Sequence, residues 1–588
     1  MLVIALICIA LARPRLFSDR LILFGQKQPV VVAFLFDTSS SMGYRSGNVT
    51  RLEEAKARAK ELLKELPTGS SIAILDSASR GGQFITDESE ILKTLDRLRI
   101  RPGNQPLTTQ ISWAYSQFQS QERNATSGTD PPPRFLYVFS DRTRACWSSD
   151  DAFTLKQPKD TLSLFVDVGV EKPVDFAVMN VEVKPELLKP GRKSTITTTI
   201  RLTNASSENV LQPRIGKQRL SKEPINPESG EEQSFLIEQQ ARKSGEKADA
   251  GLDLGFYQGV MQLQAPDQLT FNDRAYFSFQ VQLGKKVLTI AQDVGALGLW
   301  EPAIRLTGFA PTVLSVNEVG DLTADELSKY DVVTLFELKE PSAKLWSTLK
   351  PFVEKGGGLL IVPPEVRNRE AYASNEASLL MPGELKQIVE LKESAEWDWN
   401  RGNRKCPIVR QFYRWRQLPG IEFQSPDKTP LVTRYWQVTP SANQIQKPIP
   451  YPKTEHPVLL DRRVEKGRVV LLTVPMSNPE EESARWHRFW RSSFAIALIG
   501  ESHRYLSGEL TSPPMSFRCG APIKVQLPSG PLSTSYTLYG PDFQSGKVLI
   551  PEKSSQTLVI SDPLNPGNYQ IDDRDKKQVA AFSVNVRP

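Results

Sequence analysis

Pro29–Gly43 reads PVVVAFLFDTSSSMG, and its reading decides the fold of the first third of the chain. Val30–Phe36 is unbroken apolar sequence, the pattern of a strand buried on both faces of a parallel sheet. It ends at Asp37, and Ser39 and Ser41 follow at alternate positions. A carboxylate and two hydroxyls on a turn straight after a buried strand form a hard-oxygen pocket suited to a divalent cation. The same residues also suit a helix N-cap, where Ser and Thr are favoured.

Outward from that turn, residues 26–172 alternate strands and helices. Leu52, Ala55, Ala59, Leu62, Leu63 and Leu66 recur at helical spacing, and Pro67 stops the helix. Ser71–Leu75 is the next strand; Ile91, Leu92, Leu95 and Leu98 form a second helical face, and Thr109–Phe118 begins a third helix. Phe135–Ser140 is a strand ending at Asp141, and Leu162–Val168 is another. This order implies a doubly wound, Rossmann-like sheet, in which ligands sit at the carboxyl ends of the strands. Asp37 and Asp141 both occupy such ends.

The 588 residues exceed one core and imply several domains. Lys and Arg number 73 against 67 Asp and Glu, a net charge of +6, too small for a dedicated nucleic-acid binder. Four scattered cysteines (Cys8, Cys146, Cys406, Cys519) signal neither a zinc site nor a disulfide framework. Met1–Ala12 is wholly apolar and is followed by Arg13, Arg15 and Arg20. It is too short to span a bilayer, which takes about 20 residues. Residues 1–25 are therefore expected to be a membrane-related segment: a signal-peptide core, or the tail of a transmembrane helix. A buried core segment is the weaker reading.

The run Asp37-Thr38-Ser39-Ser40-Ser41 resembles the DxSxS motif of von Willebrand factor A domains, the metal-ion-dependent adhesion site. Thr109 aligns with that family's threonine, with Ile111 and Ala114 at its apolar helix positions. Asp141 matches its strand-end aspartate, with Arg142 where the family usually has glycine. The resemblance implies a site for Mg²⁺, or another divalent cation such as Mn²⁺, formed by Asp37, Ser39, Ser41, Thr109 and Asp141. In the family the serines coordinate directly and the aspartates act mostly through water. The metal stays electrophilic and keeps a position open for an acidic side chain of a protein partner. None of the five is a plausible nucleophile or general base, so no catalysis is expected there.

Residues 173–283 change to β-rich alternation, as in Thr195–Ile200, and suggest an immunoglobulin-type β-sandwich. Asn272-Asp273 reads as a turn rather than a calcium loop. Residues 284–505 return to α/β. Tyr330-Asp331-Val332-Val333 and Phe352–Val362, with its Gly356-Gly357-Gly358, resemble the class I glutamine-amidotransferase-like, flavodoxin-like fold. That family's enzymes carry a cysteine on a sharp turn served by a histidine. No cysteine stands near Gly356–Val362, and Cys406 lies in an unrelated context, so this domain is read as non-catalytic. Arg401–Arg416 is basic and aromatic and is read as a sheet edge rather than a single-strand nucleic-acid surface. Trp486, Phe489, Trp490, Phe494 and Leu498 are read as one helical core face, with His487 at the surface. Residues 506–588 suggest a second small β-sandwich.

The domain order resembles large bacterial membrane proteins of the aerotolerance-related BatA type, which carry a similar Leu-Ala-Arg-Pro before their A domain. The resemblance implies a membrane-associated, non-enzymatic binding or scaffold protein with no nucleic-acid partner. The side of the membrane is left open. The alternative is a hydrolase or amidotransferase acting through residues 284–505.

Overall fold

The computed structural model describes residues 28–586 apart from short stretches, the longest being 125–131, 148–156, 418–430 and 478–484. The apolar segment at residues 1–25 and Trp490 lie outside the described residues. Among the described residues, no helix is long and apolar enough to cross a membrane.

The first unit is a four-stranded parallel sheet. Its strands are β1 (Val31–Phe36), β2 (Ser71–Asp76), β3 (Arg134–Ser140) and β4 (Thr161–Asp167), in the order β2-β1-β3-β4. Every residue of β1 is buried, and alternate side chains enter different cores. Val32, Phe34 and Phe36 pack with α1 (Arg51–Glu65) and α2 (Glu88–Arg97). Val31, Ala33 and Leu35 pack with α3 (Leu107–Asn124) through Leu107, Ile111, Ala114 and Phe118. A strand clad by helices on both faces has to be apolar throughout, which explains its unbroken hydrophobic run. The Phe36 and Phe139 rings stack at 4.6 Å and Phe34 meets Tyr137 edge-on at 5.5 Å, joining β1 to β3. Strand order reverses between β1 and β3, so Asp37 and Asp141 leave the sheet side by side. The Asp37 amide donates to the Phe139 carbonyl at 2.9 Å.

Helix α1 starts at a capping box. The Thr50 side chain accepts from the Glu53 amide, and the Glu53 carboxylate accepts from the Thr50 amide at 2.8 Å. Thr50→Ala is expected to cost about 1 kcal/mol, read as a lowered urea midpoint of this unit. The cap matters to the site because it fixes Arg51, the first helical residue.

Residues 175–281 form two sheets sharing one core. Asp175–Lys184, Lys193–Thr203 and Glu232–Gln240 make one, and Asn209–Ile215, Gly255–Leu263 and Arg274–Val281 are the main strands of the other. Lys193–Thr203 buries Ser194, Ile196, Thr198, Ile200 and Leu202 on alternate positions, as a half-buried strand must. This unit touches the first through Arg45, whose amide donates to the Gln268 carbonyl at 2.9 Å, and through the Tyr44 hydroxyl, which accepts from the Val174 amide at 3.1 Å.

Carboxylates crowd that junction. Asn272 and Asp273 occupy a turn, yet both side chains are buried, and Asn272 Nδ2 donates to both Asp175 oxygens at 3.0 Å. Burial, then Asp267 and Asp175, push the Asp273 carboxyl up to about 7. Burial chiefly lifts Asp175 to about 6 against the opposing Asn272 bond. Both carboxyls bind protons in the folded state that the unfolded chain has already released. The stability they contribute is fully present below about pH 4 and is lost as pH rises through 6 to 7, by at most about 1.4 kcal/mol per pH unit for each group. Melting temperature should therefore fall between pH 5 and pH 8, and Asp273→Asn should flatten that slope. A slope unchanged in the variant would remove Asp273 from the account.

Residues 286–506 hold a six-stranded sheet. Its order is Ala310–Ser315, Lys286–Ala291, Val332–Phe336, Gly358–Val362, Gly467–Leu472, Leu459–Val464, with only the last strand antiparallel. Gly467 is required there: a Cβ would stand 2.0 Å from the Val353 carbonyl oxygen. Three expectations fail in this unit. Arg401–Arg416 is not a sheet edge, because Pro407–Arg416 is a helix with Pro at its start. Ile408, Val409 and Phe412 share its buried face, while Arg404 lies 3.8 Å over the Tyr413 ring. The run Trp486–Leu498 is not one helix, because Ser492 caps a helix that begins at Ser493. Trp486 and Phe489 precede it and are still buried. His487 is also buried: its ring stacks on Phe489 at 3.8 Å, its Nε2 meets the Pro475 carbonyl at 2.8 Å, and burial pushes it down to about 4.

The C-terminal residues form a five-stranded sheet and a two-stranded one around a shared core. They dock on the 175–281 unit: Ser278 and Ser583 hydroxyls meet at 2.7 Å, and the Tyr276 amide donates to Asn585 Oδ1 at 2.7 Å.

Candidate metal centre

The turn after β1 and the loop after β3 face each other at the carboxyl edge of the first sheet. Asp37 is fully buried. Its Oδ1 accepts from the Ser39 amide at 2.9 Å and its Oδ2 accepts from the Ser140 hydroxyl at 3.1 Å. Burial raises its carboxyl above the usual range, the Ser39 bonds oppose that, and Asp141 adds to it. Ser39 Oγ and Ser41 Oγ stand 3.1 Å apart. Two adjacent ligands in an octahedral shell at 2.0–2.1 Å are about 3 Å apart, so the serine pair has the spacing that one small hard cation requires.

Asp141 lies opposite. Its Oδ1 accepts from the Thr143 amide at 3.1 Å and the Thr143 hydroxyl at 2.6 Å, and its Oδ2 pairs with Arg51 Nη1 at 2.6 Å. The ion pair is buried on both sides. Arg51 also donates to the Ser41 carbonyl at 3.3 Å and lies 4.3 Å over the Tyr44 ring. Arg142, where glycine was expected, takes the left-handed backbone (φ 60°) that favours glycine. Its side chain turns outward to Asp167 Oδ2 at 2.6 Å and is mostly exposed, which leaves the pocket clear of it.

Thr109 is half-buried in the first turn of α3. The loop leading into α3 is tied to the Asp37 turn. The Arg101 amide donates to the Thr38 carbonyl at 2.9 Å, and the Thr38 hydroxyl donates to Asn104 Oδ1 at 3.1 Å. Its neighbour Thr108 is buried with a hydroxyl that has no partner, so two threonines begin the helix that this loop leads into.

Sequence reasoning missed two residues. One is Arg51, which nothing in the DxSxS pattern announces. The other is Cys146, five residues beyond Asp141. Its Sγ is 3.1 Å from Ser39 Oγ and 4.0 Å from Ser41 Oγ. Asp37, Asp141 and Cys146 each offer one ligand atom, and these three atoms lie within 4.8 Å of one another. Burial, reinforced by Asp37, pushes the thiol well above its ordinary range. The only signal available in the sequence was its position in the loop after a strand-end aspartate.

Comparison with known proteins agrees with this geometry. Residues 32–143 match the family model for the von Willebrand factor type A domain, so the chain contains a domain of that family. Such domains commonly bind a divalent metal, and the donor set here fits one: hard oxygens at octahedral spacing and two carboxylates behind them. No curated protein matches the chain. Among solved structures, a cytoplasmic protein from Salmonella typhimurium is similar at 15% identity, covering 38% of this chain and 98% of that one, with a TM-score of 0.30. A ThuA-like protein from Bacteroides uniformis is similar at 12% identity, covering 38% and 92%, with a TM-score of 0.27. The CARDB domain of a Pyrococcus furiosus protein, in complex with di-metal ions, is similar at 11% identity, covering 18% and 89%, with a TM-score of 0.15.

Proposed function

We propose that this chain is a non-enzymatic, membrane-associated binding or scaffold protein of BatA-like type. Its A domain holds Mg²⁺ or a related divalent cation and through it captures an acidic side chain of a protein partner. The observation that carries this reading is the Ser39–Ser41 hydroxyl pair at 3.1 Å, backed by Asp37 and Asp141. Asp37, Ser39, Ser41, Thr109 and Asp141 are the ligand set, with the aspartates acting behind the serines. The Arg51 pair offsets the charge of Asp141, so few negative charges face the ion, and a cation so held keeps its pull on an incoming carboxylate. The N-terminal apolar segment serves as the anchor. The two-sheet units are read as sandwich spacers and residues 284–505 as an amidotransferase-like domain without catalysis.

The alternative, hydrolysis or amide transfer by that domain, needs a cysteine–histidine pair. The two ring nitrogens of His456 face the Tyr435 hydroxyl at 2.9 Å and the Gln437 amide nitrogen at 3.1 Å, and Cys406 is buried at a helix start. Capture of protein partners on the immobilised chain, in Mg²⁺ and in EDTA, tests the proposal. Partners retained in Mg²⁺, released by EDTA and absent with Asp37→Ala support it; retention indifferent to both treatments overturns it.

A further inference from the structure

An adhesion-type pocket built only of oxygens suits Mg²⁺ or Mn²⁺, but this one also has sulfur in reach. Cys146 Sγ, a carboxylate oxygen of Asp37 and one of Asp141 all fall within 4.8 Å of one another, and all three residues are buried. Ser39 Oγ stands 3.1 Å from the sulfur. Zn²⁺ takes Cys sulfur at about 2.3 Å and carboxylate oxygen at about 2.0–2.2 Å, so its tetrahedral S and O ligands are about 3.5 Å apart, within the span observed here. Asp141 Oδ2 and the two Asp37 oxygens each accept one of the hydrogen bonds described above, which leaves a lone pair on each, whereas Asp141 Oδ1 already accepts two.

The charges agree as well. Asp37, Asp141 and a Cys146 thiolate carry three negative charges, and the Arg51 guanidinium paired with Asp141 removes one. The two that remain match a divalent ion. Magnesium gains little from such a set, because a thiolate is a soft ligand and Mg²⁺ favours oxygen.

Resting on the reading of a metal at this pocket, we propose that it selects a thiophilic divalent cation, Zn²⁺ in the first instance. Cys146 Sγ, Asp37 and Asp141 are its ligands, and Ser39 is beside the fourth position. As the metal–sulfur bond forms the S–H bond breaks, and the proton passes to solvent. The cation is then held by its own charge complement, leaving less field for an acidic partner than Mg²⁺ on oxygens would.

The test is Co²⁺, which reports sulfur ligation by a near-ultraviolet charge-transfer band, added to the metal-free full chain. The band is expected with one equivalent of Co²⁺, to be bleached by Zn²⁺, to vanish in Cys146→Ser and Cys146→Ala, and to persist in Cys406→Ser and Cys519→Ser. Zn²⁺ affinity should fall at least about tenfold in Cys146→Ser. Circular dichroism verifies that each variant is folded. A band that is missing, or that survives both Cys146 variants, while Mg²⁺ still stabilises the wild type overturns the sulfur site and leaves the adhesion reading standing. If neither Mg²⁺ nor Co²⁺ alters the melting of the wild type, both fall.

Discussion

Replacing Arg51 with methionine lowers the stability of the A domain by about 3–5 kcal/mol, the range for removing one partner of a buried ion pair. The guanidinium is nearly enclosed, and the Asp141 side chain it meets at 2.6 Å is fully so. Without Arg51, Asp141 keeps its Thr143 bonds but has no cation against it. Two further measurements separate this from lost packing against Tyr44. Arg51→Met together with Asp141→Asn should recover much of the loss, because no buried charge is then left alone. Added Mg²⁺ should also stabilise Arg51→Met more than the wild type, since the metal supplies the missing positive charge. Urea unfolding in EDTA and in Mg²⁺ reads both, and a loss under about 1 kcal/mol would place the pair among exposed ones of little consequence.

Asp37→Ala removes the stabilisation that Mg²⁺ gives the A domain. A ligand at 100 times its dissociation constant stabilises by about 2.7 kcal/mol, which in a domain of this size is roughly 5–10 °C of melting temperature. Asp37 accepts from the Ser39 amide and the Ser140 hydroxyl, and so sets both sides of the pocket. Its loss disorders the serine pair as well as deleting a charge. Asp37→Asn keeps the shape and loses the charge, and is expected to keep less than half of the shift. An undiminished shift in Asp37→Ala would place the ion elsewhere.

The parts of this site written in consecutive residues could be read from the sequence. A strand buried on both faces must be apolar, so Val30–Phe36 marked the centre of a doubly wound sheet. The turn after it carried its chemistry in Asp37, Ser39 and Ser41. Asp141 was legible because it too ends a buried strand. Arg51 and Cys146 were not, since they join the pocket only when α1 and the loop after β3 converge on it. Arg51 and Asp141 are 90 positions apart. Elsewhere the difficulty was periodicity. In Arg401–Arg416 the aromatics and arginines suit both two-residue and four-residue spacing, and Pro407 with Ile408, Val409 and Phe412 decided for a helix. His487 was misplaced because a polar ring beside Phe489 reads as surface until its nitrogen finds the Pro475 carbonyl.

The most direct test is a Mn²⁺ titration of the metal-free full-length chain, with unbound Mn²⁺ counted by its paramagnetic resonance signal and Mg²⁺ used as competitor. One ion bound per chain, displaced by Mg²⁺ and lost in Asp37→Ala with the fold intact, is the expected result. Mn²⁺ that stays free throughout, or binds equally well without Asp37, would contradict the assignment of this pocket as a metal centre.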